Sequence, residues 1–233
     1  MTLHHITKDL QRAASKQKAE GYKRFFNEEY TDKNDRFLGI SMPDQRQIAS
    51  RHSEVNLQDI QKLLNSNIHE YRMTGGIILT LRFRQNPTED LVQFYLKNLK
   101  KFNNWDLIDA TCSKILGKFL LDKKRKRIIL YELTKSPNLW ERRASIVSTF
   151  EFIRNNEFGD TLKISENLIK DKHHLTHKAV GWMLREVGKR DEKILLDFLK
   201  TNYKKLPRTT LRYSIEKFDE EKRKEMLKGN FND

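Results

Sequence analysis

Hydrophobic residues recur along almost the whole chain at the three- and four-residue spacing that is typical of amphipathic α-helices. No run of alternating polar and apolar residues is bounded by the turn residues of a β-hairpin. The four prolines stand where helices can begin or be separated, because proline lacks the amide hydrogen that a helix interior needs. The pattern predicts an all-α fold.

Several helix starts can be placed from local signals. Pro43 is expected to open a helix, and Pro207 to precede the last one, over about Thr209–Phe218. The segment Asn86–Glu89 predicts an N-cap asparagine with proline at the first helical position. The segment Asn138–Glu141 has the pattern of a second capping box.

Short segments with a basic second residue recur at Tyr71–Gly75, Arg142–Ile146, His177–Gly181 and Leu211–Ile215. Their basic residues are Arg72, Arg143, Lys178 and Arg212, which are 71, 35 and 34 residues apart. The gap of 71 covers about two periods. The missing unit falls near Asp106, where an acidic residue stands in place of the basic one.

A period in the mid-thirties is typical of stacked two-helix repeats such as the HEAT and tetratricopeptide types. We therefore expect one repeat domain over residues 1–233, a curved α-solenoid whose concave face carries the repeated cations. The alternative is that each repeated arginine pairs with a neighbouring carboxylate in a solvated surface ladder.

Lysine and arginine exceed the acidic residues by 14 charges, and only 37% of the chain is hydrophobic. Such an excess favours a polyanionic partner, and the chain has no apolar stretch long enough to span a membrane. We expect a cytoplasmic, monomeric protein. Cys112 is the single cysteine, and its helical context indicates a buried apolar role.

Trp105 and Asp109 are four residues apart on a predicted helix and therefore share a face. An indole beside a carboxylate suits a cationic group, through cation–π and Coulomb attraction. The alternative is a core tryptophan, with Asp109 paired to an arginine of the next repeat.

A second face combines cations with an aromatic ring. Lys178, Trp182 and Arg185 follow one another at spacings of four and three, which suits the binding of a strand or a distorted duplex. The alternative is that Trp182 is buried between repeats. Arg143 is a candidate phosphate ligand, because a guanidinium can bind phosphate through two hydrogen bonds.

His173 and His177 have a spacing compatible with metal binding, but no cysteine or carboxylate ligand pattern accompanies them. No glycine-rich phosphate loop or nucleophile elbow is present in the sequence. We expect neither a metal nor an organic cofactor.

Four segments resemble motifs of the AlkD-like DNA alkylation repair family of HEAT-repeat DNA glycosylases. They are Phe37–Arg46 (FLGISMPDQR), Trp105–Asp109 (WDLID), Leu139–Ala144 (LWERRA) and Lys178–Glu186 (KAVGWMLRE). Each motif is short, but all four occur in the family's order and extend over most of the chain.

The resemblance implies roles for individual residues. Asp109 would be the catalytic carboxylate, and Trp105 and Trp182 would hold the deoxyribose and backbone of a damaged nucleotide. Arg143 would bind a phosphate beside it. The chain departs from the best-known type of member at Phe25, where that type has a tyrosine. The DNA-binding set also includes cations from the motifs and the repeated positions: Arg46, Arg72, Lys178, Arg185 and Arg212.

The resemblance further implies excision of cationic N3- or N7-alkylated purines from duplex DNA, with a grip on backbone and sugar that leaves the damaged base exposed. Two alternatives remain open. One is a non-catalytic protein that recognises distorted or branched DNA, since the fold alone does not settle function. The other is a protein-binding adaptor.

Overall fold

A computed structural model describes residues 2–26 and 31–231, and its regular structure in these ranges is helical. The exception is an isolated parallel bridge between Arg36 and Ile68. The predicted all-α fold is confirmed. The chain divides into two compact units, Met1–Ile115 and Leu116–Asp233. A single repeat domain over residues 1–233 stays a prediction.

The first unit contains seven α-helices within the described ranges. They are α1 (Leu3–Arg12), α2 (Lys16–Phe25), α3 (Met42–Arg51), α4 (Leu57–Leu64), α5 (His69–Gln85), α6 (Glu89–Lys97) and α7 (Trp105–Cys112). A 3₁₀ turn, Leu99–Lys101, precedes α7, and a π-helical segment, Ser113–Gly117, follows it. Helix α5 packs against α3, α4 and α7, and its buried residues include Phe83.

The second unit contains nine further α-helices in the part of the chain that the structure describes. They are α8 (Lys118–Leu120), α9 (Ile128–Leu133), α10 (Leu139–Val147), α11 (Phe150–Arg154), α12 (Gly159–Leu168), α13 (His174–Gly188), α14 (Glu192–Asn202), α15 (Arg208–Ser214) and α16 (Glu220–Lys228). Two 3₁₀ turns, Lys124–Arg127 and Tyr203–Lys205, precede α9 and α15. Helix α13 packs against α10 on one side and α15 on the other.

Gly181 explains how closely α13 and α15 approach each other. A Cβ atom at this position would lie 2.5 Å from the Cβ of Tyr213 and 2.6 Å from the carbonyl oxygen of Thr210. Only glycine leaves room for this backbone contact. The contact fixes the register of the two helices and brings Lys178 near Tyr213, with Nζ 6.0 Å from the ring centroid.

Two predicted helix starts are confirmed by cap geometry. Helix α10 follows Asn138, whose side chain accepts hydrogen bonds from two amides of the first turn. Helix α3 begins at Met42 after the N-cap Ser41, which places Pro43 in the first turn, where a missing amide hydrogen costs nothing.

Two other predictions were wrong. The N-cap of α6 is Thr88 rather than Asn86, because the threonine hydroxyl accepts the first-turn hydrogen bond. The helix after Pro207 is not the last one. It ends at Ser214, and Asp219 then caps α16 by accepting a hydrogen bond from a main-chain amide.

Among the described residues, no helix has both the length and the apolar character that crossing a bilayer requires.

Candidate functional site

Five helices, α5, α7, α10, α13 and α15, follow the predicted period, and we call them the repeat helices. Their N-caps are Ile68, Asn104, Asn138, His173 and Pro207, which are 36, 34, 35 and 34 residues apart. The fifth residue after each cap, called here the repeated position, is Met73, Asp109, Arg143, Lys178 and Arg212, respectively.

This register changes two sequence predictions. Arg72 lies one residue before the repeated position, so it is not equivalent to Arg143. The acidic residue that replaces the repeated cation is Asp109 rather than Asp106. The carboxylate that the family resemblance marks as catalytic therefore occupies the position at which the next three repeats carry a cation.

Arg72 was predicted to bind DNA, but its contacts are with other residues of the protein. Its guanidinium donates to the Asp35 carboxylate at 2.7 Å and to the carbonyl oxygen of Ser66 at 2.8 Å. Both charged side chains are nearly inaccessible, with exposed fractions of 4% and 3%. Because a buried pair of this kind satisfies both charges, Arg72 cannot bind a phosphate in this arrangement.

Trp105 is the first residue of α7 and is half-buried in an aromatic cluster. The ring of Phe26 lies 5.7 Å from the indole and 5.1 Å from the imidazole of His69. The Nε2 atom of His69 is 2.8 Å from the Asp106 carboxylate, which ties α5 to the first turn of α7. The backbone of Phe25 ends α2, but its side chain lies outside the described part of the chain.

Asp109 lies one helical turn after Trp105, on the same face, and is also half-buried. Close to Asp109, the buried Tyr95 hydroxyl contacts the hydroxyl of Thr111 at 2.9 Å. Burial is the main cause that raises the pKa of Tyr95, and the charges of Cys112 and Asp109 raise it further. The phenol therefore stays neutral, and the negative charge of the nearby Asp109 helps to keep it so.

Two cations of the first unit lie near each other. Arg46 is exposed on α3, and Lys114 lies in the π-helical segment that follows α7. Partial burial lowers the pKa of Lys114, and the like charge of Arg46 lowers it further. An anion such as a phosphate would relieve this repulsion. Arg46 was predicted from its motif, whereas Lys114 was missed, because its neighbour is 68 residues away in the sequence.

A cavity of about 280 Å³ lies beside Trp105. It is lined by Tyr22, Phe26, Ile40, Met42, Gln45, His69, Glu70, Met73, Trp105 and Asp106. Its volume is close to the lower end of the range for small-molecule sites, roughly 300–1,000 Å³, and its aromatic walls suit a planar ring. This cavity could not be predicted from the sequence, because its walls come from four separate stretches of chain.

The second unit carries the cations at three consecutive repeated positions. Arg143 is buried, with 5% of its surface exposed, and its Nη1 donates to the carbonyl oxygen of Leu175 at 2.6 Å. Lys178 is half-buried and Arg212 is exposed. Because α10, α13 and α15 pack side by side, these three positions follow one face of the unit.

Trp182 is half-buried, and its ring lies 5.8 Å from that of Phe150, so the indole is neither fully buried nor isolated. Arg185, three residues later, forms ion pairs with Glu216 and with Glu186. Its guanidinium is thus partly neutralised, and a phosphate would have to compete with two carboxylates for it.

The two histidines considered as metal ligands have other roles. The Nδ1 atom of His173 caps α13 by accepting a hydrogen bond from the Leu175 amide at 3.1 Å. The Nε2 atom of His177 lies 2.6 Å from the carbonyl oxygen of Asp171. Within the described ranges, no group of three histidine, cysteine, aspartate or glutamate side chains is placed to hold a metal ion.

A family model for DNA alkylation repair enzymes matches residues 6–218, which is nearly the whole chain. The chain belongs to this DNA alkylation repair family. A solved structure described as a predicted DNA alkylation repair enzyme from Enterococcus faecalis has a similar fold, with a TM-score of 0.74. The similarity covers 89% of this chain and 97% of that one at 16% sequence identity, so it shows a shared fold. No curated protein matches the chain.

Membership of the DNA alkylation repair family supports a role in repair with DNA as the substrate. It agrees with the sequence resemblance, which reached the same family from four short motifs.

Proposed function

We propose that this member of the DNA alkylation repair family is a monofunctional DNA glycosylase that releases cationic N3- or N7-alkylated purines from duplex DNA. The observation that carries the proposal is the pair Trp105 and Asp109, half-buried on one face of α7. Asp109 is the one acidic residue at the repeated position among the repeat helices. The site therefore concentrates negative charge and π-electron density in an otherwise basic protein.

These two groups match the charge changes of the reaction. An N3- or N7-alkylated purine is already cationic, so it takes the glycosidic electron pair and leaves as a neutral base without strong acid catalysis. Positive charge develops on the deoxyribose as the bond breaks, as in other oxocarbenium-like transition states. The carboxylate of Asp109 and the face of Trp105 both stabilise such a charge.

Water completes the reaction in this proposal. Asp109 orients a water molecule whose oxygen forms the new bond to C1′ of the sugar, and the proton that this water loses passes to solvent. The products are the free alkylated base and an abasic site. No metal or organic cofactor is needed, because the alkyl group has already made the base a good leaving group.

The cations of the second unit would hold the DNA backbone. Arg143, Lys178 and Arg212 occupy consecutive repeated positions, and a guanidinium can bind a phosphate with two hydrogen bonds. The part of Trp182 in holding the sugar rests on the family resemblance. In this arrangement the protein acts as a monomer and grips backbone and sugar.

The decisive experiment measures release of methylated base from alkylated duplex DNA by the wild type, by Asp109→Asn and by Asp90→Asn. Asp90 is an exposed aspartate of α6 in the same unit and serves as the matched control. We expect Asp109→Asn to lose roughly 10²–10³-fold in rate, the loss typical when one preorganised electrostatic contact is removed. The control should retain the wild-type rate.

Equal release by the wild type and Asp109→Asn would remove Asp109 from its assigned role. Tight DNA binding without any base release would select the alternative, a non-catalytic protein that recognises distorted or branched DNA. The departure from the family pattern at Phe25 keeps that alternative in the test, because the resemblance implies that phenylalanine would lose the hydroxyl contact of the family's tyrosine while keeping an aromatic ring.

A further inference from the structure

An exposed lysine precedes four of the five repeat helices, α7, α10, α13 and α15, at one fixed register. The third residue before the N-cap is Lys101 in the first unit and Lys135, Lys170 and Lys204 in the second. We call the three of the second unit the edge lysines. They are 35 and 34 residues apart and are not part of the family motifs quoted above.

The edge lysines lie on one side of the second unit. The Nη1 atom of Arg143 reaches the carbonyl oxygen of Leu175, and the hydroxyl of Thr210 reaches the carbonyl oxygen of His177. These bonds join the early turns of α10, α13 and α15, so the N-terminal ends of the three helices are neighbours. The three loops that precede them therefore form a common edge.

The charge of this edge is not compensated. All three edge lysines are exposed, and none forms an ion pair with another described residue. Further exposed lysines, Lys172 and Lys205, stand in the same loops. Asp171 is the only acidic residue in loops 134–138, 169–173 and 203–207, and Arg142 already neutralises it through an Nε–Oδ2 contact of 2.6 Å.

Other lysines of the same unit have a different environment. Lys118 lies 3.5 Å from Glu151, Lys189 lies 2.7 Å from Glu186, and Lys228 lies 2.7 Å from Glu225. The edge lysines thus belong to the exposed cations for which the described residues supply no counter-ion, and their shared position before the repeat helices sets them apart.

The spacing fits a nucleic-acid strand. Packed helices are about 8–10 Å apart, which corresponds to between two and three nucleotide steps of roughly 3.4 Å along one strand. A lysine ammonium on a flexible stem can reach a phosphate from such a distance without exact alignment. Successive edge lysines could therefore contact every second or third phosphate.

We infer that the edge lysines Lys135, Lys170 and Lys204 form a phosphate-binding row for the backbone of duplex DNA, separate from the repeated positions Arg143, Lys178 and Arg212. The inference rests on DNA being the partner in the proposed function. It does not depend on catalysis, because the row would bind undamaged and alkylated DNA alike.

The test compares two triple variants of the full chain on undamaged duplex DNA. One replaces the edge lysines with alanine (K135A/K170A/K204A). The matched control, K163A/K193A/K200A, removes three exposed lysines of the intervening helices α12 and α14 and changes the net charge equally. Fluorescence anisotropy gives the binding constant over a series of salt concentrations.

Each lost phosphate contact lowers the slope of log Kobs against log salt concentration by about 0.9, so the edge variant should lose up to about 2.7. The control should keep the wild-type slope, and a Lys→Arg version of the edge variant should restore it. Equal slopes for both alanine triples would overturn the inference. Unchanged circular dichroism melting of the edge variant excludes unfolding as the cause.

The inference and the proposed glycosylase activity can fail separately. If the wild type shows the expected difference in slope but releases no base, the edge row stands and the glycosylase assignment falls. If base is released but the two triples bind alike, the edge row falls and the activity stands.

Discussion

Two adjacent arginines of α10 have different surroundings. Arg142 pairs with Asp171 and donates to the carbonyl oxygen of Ser136, so its charge is already matched within the protein. Arg143 turns to the other side of the helix, where it contacts the carbonyl oxygen of Leu175. A guanidinium can bind a phosphate through two hydrogen bonds, and the family resemblance assigns that contact to Arg143 and not to Arg142.

We therefore expect Arg143→Ala to weaken DNA binding and to reduce the salt slope by about 0.9, the value for one phosphate contact. Arg142→Ala is the matched control, one residue away. It should lower the free energy of unfolding without changing the slope. Binding isotherms at several salt concentrations, together with urea unfolding, separate the two effects. An unchanged slope for Arg143→Ala would assign it to a structural contact.

At the scale of the elements, the same hydrogen-bond pattern fixes the first turns of three repeat helices, α5, α10 and α13. In each of them a side chain bonds to the main-chain carbonyl oxygen six residues earlier: Arg72 to Ser66, Arg142 to Ser136 and His177 to Asp171. The side chain of the earlier residue in turn accepts a hydrogen bond from the amide two residues after it. In the loops that carry the edge lysines at 135 and 170, the residue directly after the lysine is therefore held by two hydrogen bonds.

The ion pair between Arg142 and Asp171 depends on pH, because the aspartate can be protonated. Burial alone would raise its pKa, but hydrogen bonds from Arg142 and from the His173 amide lower it below the ordinary value. A lowered folded-state pKa contributes stability that is present above the unfolded-state pKa and is lost as the pH falls through the folded-state value.

We expect Asp171→Asn to lower the free energy of unfolding by roughly 1–3 kcal/mol at neutral pH, because the charged partner of Arg142 is removed. The difference from the wild type should begin to shrink below about pH 4, where the carboxylate becomes protonated in the unfolded chain. It should disappear once the pH passes the lower pKa of the folded state. Urea unfolding across this pH range measures it, with the exposed Asp197→Asn as control. A difference that does not depend on pH would show that the charge of Asp171 contributes nothing.

At the scale of the whole molecule, the 46 lysines and arginines include cations that the protein itself neutralises and cations that have no counter-ion among the described residues. Arg72 and Arg142 belong to the first class, since each pairs with an aspartate. The edge lysines and Arg212 belong to the second, as exposed cations. Exposed cations attract a polyanion and raise its association rate at low ionic strength.

Binding to undamaged duplex DNA should accordingly fall steeply with salt. If the edge lysines and the three cations at repeated positions all contact phosphates, affinity should drop by about 10³-fold between 50 and 200 mM salt. Anisotropy with a short labelled duplex tests this. Weak binding even at the lowest salt concentration would favour the protein-binding adaptor instead.

Much of the fold and part of the site could be predicted from the sequence, for a physical reason that is local. Helical periodicity and the repeat of 34 to 36 residues depend on neighbours within one or two turns, and both are present in the structure. The pairing of Trp105 with Asp109 on one face follows from their spacing of four. The N-cap of α6 was predicted wrongly because two polar residues, Asn86 and Thr88 on either side of Pro87, could each have served.

Tertiary structure decided which charges are available to a partner. The partner of Arg72 is Asp35, the partner of Arg142 is Asp171, and Lys114 is near Arg46. The members of each pair are 29 to 68 residues apart, and their meeting depends on how separate helices pack. The sequence by itself determined an all-α chain with a period in the mid-thirties and cations at Arg143, Lys178 and Arg212, whereas the structure moved the acidic exception from Asp106 to Asp109. Only packing could distinguish the cations that form ion pairs within the protein from those that remain exposed to a partner. The reason is that burial and long-range contacts, and not residue type, determine what an unpaired charge costs.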